Sequence, residues 1–156
     1  MFVQTFIVPN YLNPVSSPAD PAPDRGPATS LHVAHETWND AFDLWLSSRR
    51  AQNTRRAYRS AWKHFLEFTR VQPWKVTSTD VAGWIESQHA EGLSAATILQ
   101  RLAEVSSFYT YATRTYTLLG SDGREQPLHH FNPVNPVPRP KVNPYAKAKY
   151  LNVDQT

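Results

Sequence analysis

Apolar side chains recur at roughly three- and four-residue intervals in four separate stretches of this chain, which is the signature of amphipathic helices. In the first stretch Trp38, Ala41, Phe42, Trp45 and Leu46 follow Thr37, a residue suited to N-capping, and predict a helix to about Arg50. The second opens at Asn53 or Thr54, either of which can cap, and keeps its pattern to Phe68. Placing Arg55 at zero with about 100° per residue, Phe68, Ala61, Phe65, Tyr58, Trp62 and Leu66 span an arc from about −140° to about +20°. Arg55, Arg59, Arg70, Lys63 and Arg56 occupy the adjacent arc, from 0° to about 100°. One face packs and its neighbour is basic.

Pro73-Trp74 interrupts the chain, and Thr77, Ser78 or Thr79 can cap a third helix. Val81, Trp84, Ile85 and Gln88 mark its inner face, and Gly92 supplies the residue that ends it. Ser94 caps a fourth helix with Ile98, Leu102, Val105, Tyr109 and Ala112 in one stripe and Leu99 and Phe108 at its edges. Thr97, Gln100, Arg101 and Glu104 share another face. Beyond Tyr116 the helical signal fades, Gly120-Ser-Asp-Gly123 reads as a turn, and no stretch carries a convincing strand alternation. The expected fold is all-α, with four to five helices and short connections.

Proline narrows the part that can fold. Six of the 13 prolines precede residue 28 and six more lie between Pro127 and Pro144, leaving Pro73 alone between. The reading is therefore a disordered arm over 1–35, a helical core over 36–131 and a proline-rich linker over 132–156. With no cysteine, disulfides, thiol nucleophiles and cysteine-type zinc sites are excluded. Met1 to Val15 lacks a basic lead and is cut by Pro9 and Pro14, so it makes a poor signal peptide. No apolar run approaches the ~18 residues of a membrane span, and the expectation is a cytoplasmic, nucleoid-associated chain.

Charge changes the picture through its placement rather than its sum of +3. From Arg49 to Lys75 eight cations meet one acid, Glu67, and Arg139, Lys141, Lys147 and Lys149 form a second basic run. Concentrated positive charge on one helix face fits a polyanion, and duplex DNA is the expected partner. Arg55, Arg56, Arg59 and Lys63 are the candidates for phosphate contacts, with Arg56 near enough to the helix start to reach a guanine edge. Thr97, Gln100 and Arg101 are the candidates for reading bases, since Gln suits adenine, Arg suits guanine and the Thr methyl suits thymine. The bland alternatives are a solvated basic face and a routine Arg101–Glu104 pair. The aromatics read as core. His32, His35, His129 and His130 lack the cysteine and carboxylate company of a metal site, so no metal, cofactor or small-molecule substrate is expected.

The run Asn53-Thr54-Arg-Arg-Ala-Tyr58-Arg-Ser-Ala-Trp62-Lys-His-Phe65-Leu-Glu-Phe68 resembles the second helix of the core-binding domains of tyrosine recombinases, the phage-integrase N-terminal SAM-like domains. Thr79-Asp80-Val81-Ala-Gly-Trp84-Ile85 resembles the third helix, and Gly92-Leu93-Ser94-Ala-Ala-Thr97-Ile98, continuing to Leu102 and Ser107-Phe108-Tyr109, the fourth. Asn132-Pro133-Val134 with Arg139-Pro140-Lys141 looks like the exit to an interdomain linker. Leu151 with Asp154-Gln155 looks like the start of a catalytic domain. The stretch from Tyr116 to Phe131, with His129-His130, departs from the pattern by its length.

The resemblance implies half of a clamp around duplex DNA, with the second and fourth helices crossing the major groove and other recombinase subunits as neighbours on the DNA. It implies that the tyrosine nucleophile, arginines, lysine and histidines of strand transfer belong to a separate catalytic domain. No arginine stands three residues after any of the six histidines, so the His-x-x-Arg signature is absent and no catalytic residue is assigned. The chain alone is expected to be no enzyme. The rival reading is a non-catalytic helical protein-interaction module.

Overall fold

The computed structural model describes residues 27–142. Four helices carry the fold: α1 Pro27–Ser47, α2 Gln52–Thr69, α3 Ser78–Ala90 and α4 Ala95–Arg114. A 3₁₀ turn at Pro73–Lys75 joins α2 to α3, and two short strands, β1 Thr117–Leu119 and β2 Glu125–Pro127, follow α4. The all-α expectation holds, and the core is the predicted one. Trp38, Ala41, Phe42, Trp45 and Leu46 of α1 are buried, as are Val81, Trp84, Ile85 and Gln88 of α3 and the Ile98–Ala112 stripe of α4. Phe108, predicted at the edge of that stripe, is instead fully buried and forms the hub, its ring within 4.8–5.4 Å of Trp62, Phe42 and Trp45.

Local chemistry explains where α3 and α4 begin and end. Thr77 and Asp80 form a reciprocal capping box, with the Thr77 N–H donating to Asp80 Oδ2 at 2.8 Å and the Asp80 N–H to Thr77 Oγ1 at 3.3 Å. At the far end Gly92 takes φ 81°, its N–H donates to the His89 carbonyl at 3.0 Å, and the Leu93 N–H reaches the Gln88 carbonyl at 3.1 Å. That pair of bonds is a Schellman closure, and only a residue at ease with positive φ completes it without strain. Ser94 then caps α4 by accepting from the Thr97 N–H at 3.2 Å.

Four expectations need correction. α1 begins at Pro27 rather than at Thr37. Proline suits a first helical turn, where its missing N–H costs nothing, and Thr37 lies mid-helix with its hydroxyl donating back to the Val33 carbonyl at 2.8 Å. α2 is preceded by Ala51, with no side-chain cap from Asn53 or Thr54. Phe68 is 39% exposed rather than buried, its ring lying at the edge of the core beside Gly83 of α3. Strand does occur, as an antiparallel pair with Thr117 opposite Pro127 and Leu119 opposite Glu125. Three-residue strands are too short to show alternation, but the turn between them is the predicted one, closed by Gly123 N–H to the Gly120 carbonyl at 3.0 Å.

After the hairpin the chain returns to α4. Asn132, Pro133 and Val134 are buried there, although they had been expected to open the linker. The Asn132 side-chain amide donates to the Ser106 carbonyl at 2.9 Å, Ser106 Oγ at 3.0 Å and Thr110 Oγ1 at 3.1 Å. Most of the predicted arm, together with Tyr145, Lys147, Lys149, Tyr150, Leu151, Asp154 and Gln155, lies outside the described residues. Among the described residues no helix is long and apolar enough to cross a membrane.

Candidate nucleic-acid interface

α2 is the spine of the candidate site, and its two flanks meet different neighbours. On one flank Arg55 and Arg59 line a shallow pocket with Asp43, Leu46 and Ser47 of α1. Lys63 lines a wider groove on the same side with Asn39, Phe42, Asp43, Trp62, Leu66 and Glu67. On the other flank Thr54, Ala57 and Tyr58 form a groove with Gln100, Ala103 and Glu104 of α4. At about 100° per residue, Arg56 falls on the outer crest between the flanks. The structure thus joins Gln100 to the start of α2, and it sets the Arg55–Arg59–Lys63 row on the α1 side of that helix.

The seven candidate residues differ in how free they are. Arg55 is half-buried, and its guanidinium donates to the Arg49 carbonyl at 2.9 Å and more loosely to that of Arg50 at 3.5 Å. It therefore braces the connection between α1 and α2 by satisfying its carbonyls. Arg49, just before it, holds its guanidinium 5.0 Å above the Trp45 ring and 5.6 Å from that of Tyr58, a cation–π clamp at the α1–α2 corner. Arg59 lies 3.9 Å from Asp43 and Lys63 lies 3.7 Å from Glu67, and all four side chains are largely exposed. Exposed pairs of that length are weak and readily exchanged for a phosphate partner. Arg56 is exposed and, among the described residues, carries no ion pair.

On α4 the polar face is more committed than its sequence implies. Thr97 is exposed, and its hydroxyl sits 2.9 Å from that of Ser94. Arg101 is half-buried and donates to Gln88 Oε1 at 3.2 Å, while Gln88 Nε2 donates to the Trp84 carbonyl at 3.3 Å. Arg101 thus satisfies a fully buried amide on α3 and ties α3 to α4. Gln100 is exposed and donates from Nε2 to Glu104 Oε1 at 3.3 Å. No Arg101–Glu104 bridge forms, and Glu104 is 7% exposed instead of lying on an open polar face. Desolvation pushes the Glu104 carboxyl above its ordinary 4.5, while the Gln100 hydrogen bond and the Arg101 charge pull it back.

Glu104, Thr54 and Ala57 line the groove beside Gln100 and are not among the seven candidates. The spacing of Gln100 and Glu104, one helical turn apart, was the available signal. For Thr54 and Ala57 there was none, since only the packing of α4 against α2 reveals which edge of α2 lines the groove. The histidines do not gather into a site. His129 is buried against Trp38 at 5.4 Å, and His35 packs on Trp74 at 4.9 Å. His64 accepts at Nδ1 from the Trp84 indole N–H at 3.0 Å.

The description of a phage integrase N-terminal SAM-like domain matches residues 40–115, which take in α2, α3, α4 and the C-terminal part of α1. This helical segment is a SAM-like domain of the phage integrase N-terminal type. Among curated proteins the chain is similar to tyrosine recombinase XerC of Thermodesulfovibrio yellowstonii, at 31% identity over 104 residues. That similarity covers 67% of this chain and 31% of the relative, so the chain spans about a third of its relative's length. The family match runs from Asp40 to Thr115 and does not include Asn132 to Gln155. No solved structure matches the chain.

Proposed function

We propose that this domain binds duplex DNA in a sequence-specific way, as the non-catalytic, DNA-gripping part of a site-specific recombinase or integrase. The observation that carries the proposal is the exposed row of Arg56, Arg59 and Lys63 along α2, with Gln100 exposed on α4 beside the opposite flank of the same helix. Cations in a row neutralise successive phosphates and release condensed counterions. The first turn of α2 has no side-chain cap, which leaves backbone N–H groups beside Arg56 for the same anion. Gln100 supplies what phosphate contacts lack, a donor–acceptor pair able to distinguish bases. Arg55 and Arg101 hold the corner and the α3–α4 contact, and so act as supports. Thr97 stands next to Gln100 at the start of α4 as a secondary contact. Strand transfer belongs to a catalytic domain, other recombinase subunits are neighbours on the DNA, and the place of action is the cytoplasmic nucleoid.

The test is a mobility-shift titration in salt with duplex DNA. Affinity falls steeply with salt, with a log–log slope near −0.9 for each phosphate contact. Arg59→Ala with Lys63→Ala weakens binding to every sequence alike and flattens that slope by nearly two such units, roughly −0.9 each. Gln100→Ala instead changes which sequence is preferred. A flat salt response, or binding only to a protein partner, would leave the helical interaction module as the function.

A further inference from the structure

Gln100 is not a free side chain. One turn further along α4 stands Glu104, 7% exposed, on the floor of the groove that Gln100 shares with Thr54, Ala57, Tyr58 and Ala103. Gln100 Nε2 and Glu104 Oε1 are 3.3 Å apart. A carboxylate only accepts hydrogen bonds, so the part of the Gln100 amide that meets it has to be the NH₂ group. The amide is planar, and its oxygen therefore faces away from Glu104, with one N–H still unspent. Arg101 reinforces the arrangement. Its guanidinium is held by Gln88 at 3.2 Å and keeps a positive charge near the Glu104 carboxylate.

We propose that Glu104 is a positioning residue that locks the Gln100 amide oxygen-outward, so that this point of α4 reads adenine and rejects guanine. The inference rests on the DNA-binding reading above and names the base class which that site selects. Adenine offers an N6 amino donor beside the N7 acceptor, and the outward oxygen and spare N–H of Gln100 complement that pair. Guanine offers two acceptors, O6 and N7, and one of them would face the Gln100 oxygen. A freely rotating amide could turn its NH₂ outward and accommodate guanine. Glu104 removes that option.

The experiment selects sequences from a random duplex library with the wild-type chain, Gln100→Ala, Glu104→Met and Glu104→Gln. Methionine fills the buried volume without an acceptor, and burying it in place of a carboxylate keeps the fold at or above wild-type melting temperature. Wild type should enrich adenine over guanine at one position by roughly tenfold or more. Gln100→Ala and Glu104→Met should both lose that preference at the same position. Glu104→Gln, which can still turn an oxygen toward Gln100, should restore part of it. A second readout needs no DNA. The side-chain amide resonances of Gln100 should shift as Glu104 titrates, and should lose that shift in Glu104→Met. The inference is overturned if Glu104→Met keeps the adenine preference, or if the Gln100 amide ignores Glu104. Wild type that enriches no sequence, while the amide does follow Glu104, would overturn the DNA-binding reading and this one with it.

Discussion

Single buried polar groups set the pH behaviour of the domain. The His129 ring lies 5.4 Å from Trp38, 5.9 Å from Tyr109 and 4.9 Å from Phe131, and its Nε2 is buried without a hydrogen-bond partner. Burial, and then the neighbouring His130, push its pKa below the ordinary 6.5. The unfolded chain therefore takes up the proton first as pH falls. The stability owed to neutral His129 is complete above the ordinary 6.5 and is lost as pH drops through the lowered value. Glu104 has the opposite sign: its raised pKa makes its share of stability complete below 4.5 and lost as pH rises through the raised value. Replacing His129 by Phe keeps an aromatic among the rings and removes the proton. Urea denaturation at several pH values between neutral and 5 should show wild type losing stability that His129→Phe retains. Parallel curves for the two proteins would mean that His129 is protonated as easily when folded as when unfolded.

At the scale of elements, what the sequence made legible was chemistry that a helix end carries within itself. Gly92 and Ser94 announce their roles, and Thr77 stands among three candidates with Ser78 and Thr79, because a cap needs a particular side chain within three or four residues. Thr77→Ala removes the hydroxyl that accepts from the Asp80 N–H, and it should cost about 1 kcal/mol by chemical denaturation, within the usual ~0.5–2. Thr77→Ser should restore most of that, and an unchanged midpoint for Thr77→Ala would mean that Asp80 alone holds the helix start. The ends that were misread lack such a signal. α2 starts after Ala51 without a side-chain cap and stops at Arg70, whose left-handed φ of 54° is normally a glycine's. There the corner is held by remote partners, Arg55 on the Arg49 carbonyl and Arg49 over Trp45, which no local pattern displays. The same limit explains the hairpin, since the pairing of Leu118 with Gln126 is decided by the Gly120–Gly123 turn and not by alternation. It also explains the site. A helical wheel gave the angle of every α2 cation, but not which flank α1 would cover and which would face α4.

In the whole molecule, α1, α2 and α4 meet at Phe108, and the chain beyond α4 is fastened back to them by His129, Asn132 and Val134. The three bonds from the Asn132 amide to Ser106 and Thr110 are matched by its Oδ1, which accepts from the Val134 N–H at 3.0 Å. Val134 is 2% exposed, and the segment continues through a turn in which the Val137 N–H donates to the Val134 carbonyl at 3.2 Å. Asn132 therefore supplies the side-chain hydrogen bonds that hold the chain against α4 as it leaves the hairpin. Asn132→Ala leaves the Ser106 carbonyl and two hydroxyls without their donor and should cost about 1–3 kcal/mol. Hydrogen exchange localises the effect: the Val134, Asn135 and Val137 amides should exchange faster, while amides of α2 and the first half of α4 stay protected. Because Ser106 and Thr110 do not line the α2–α4 groove, duplex binding by this chain should stay at the wild-type level. Uniform loss of protection across all four helices would instead make Asn132 part of the cooperative core, and the exit of the chain would have no stability of its own.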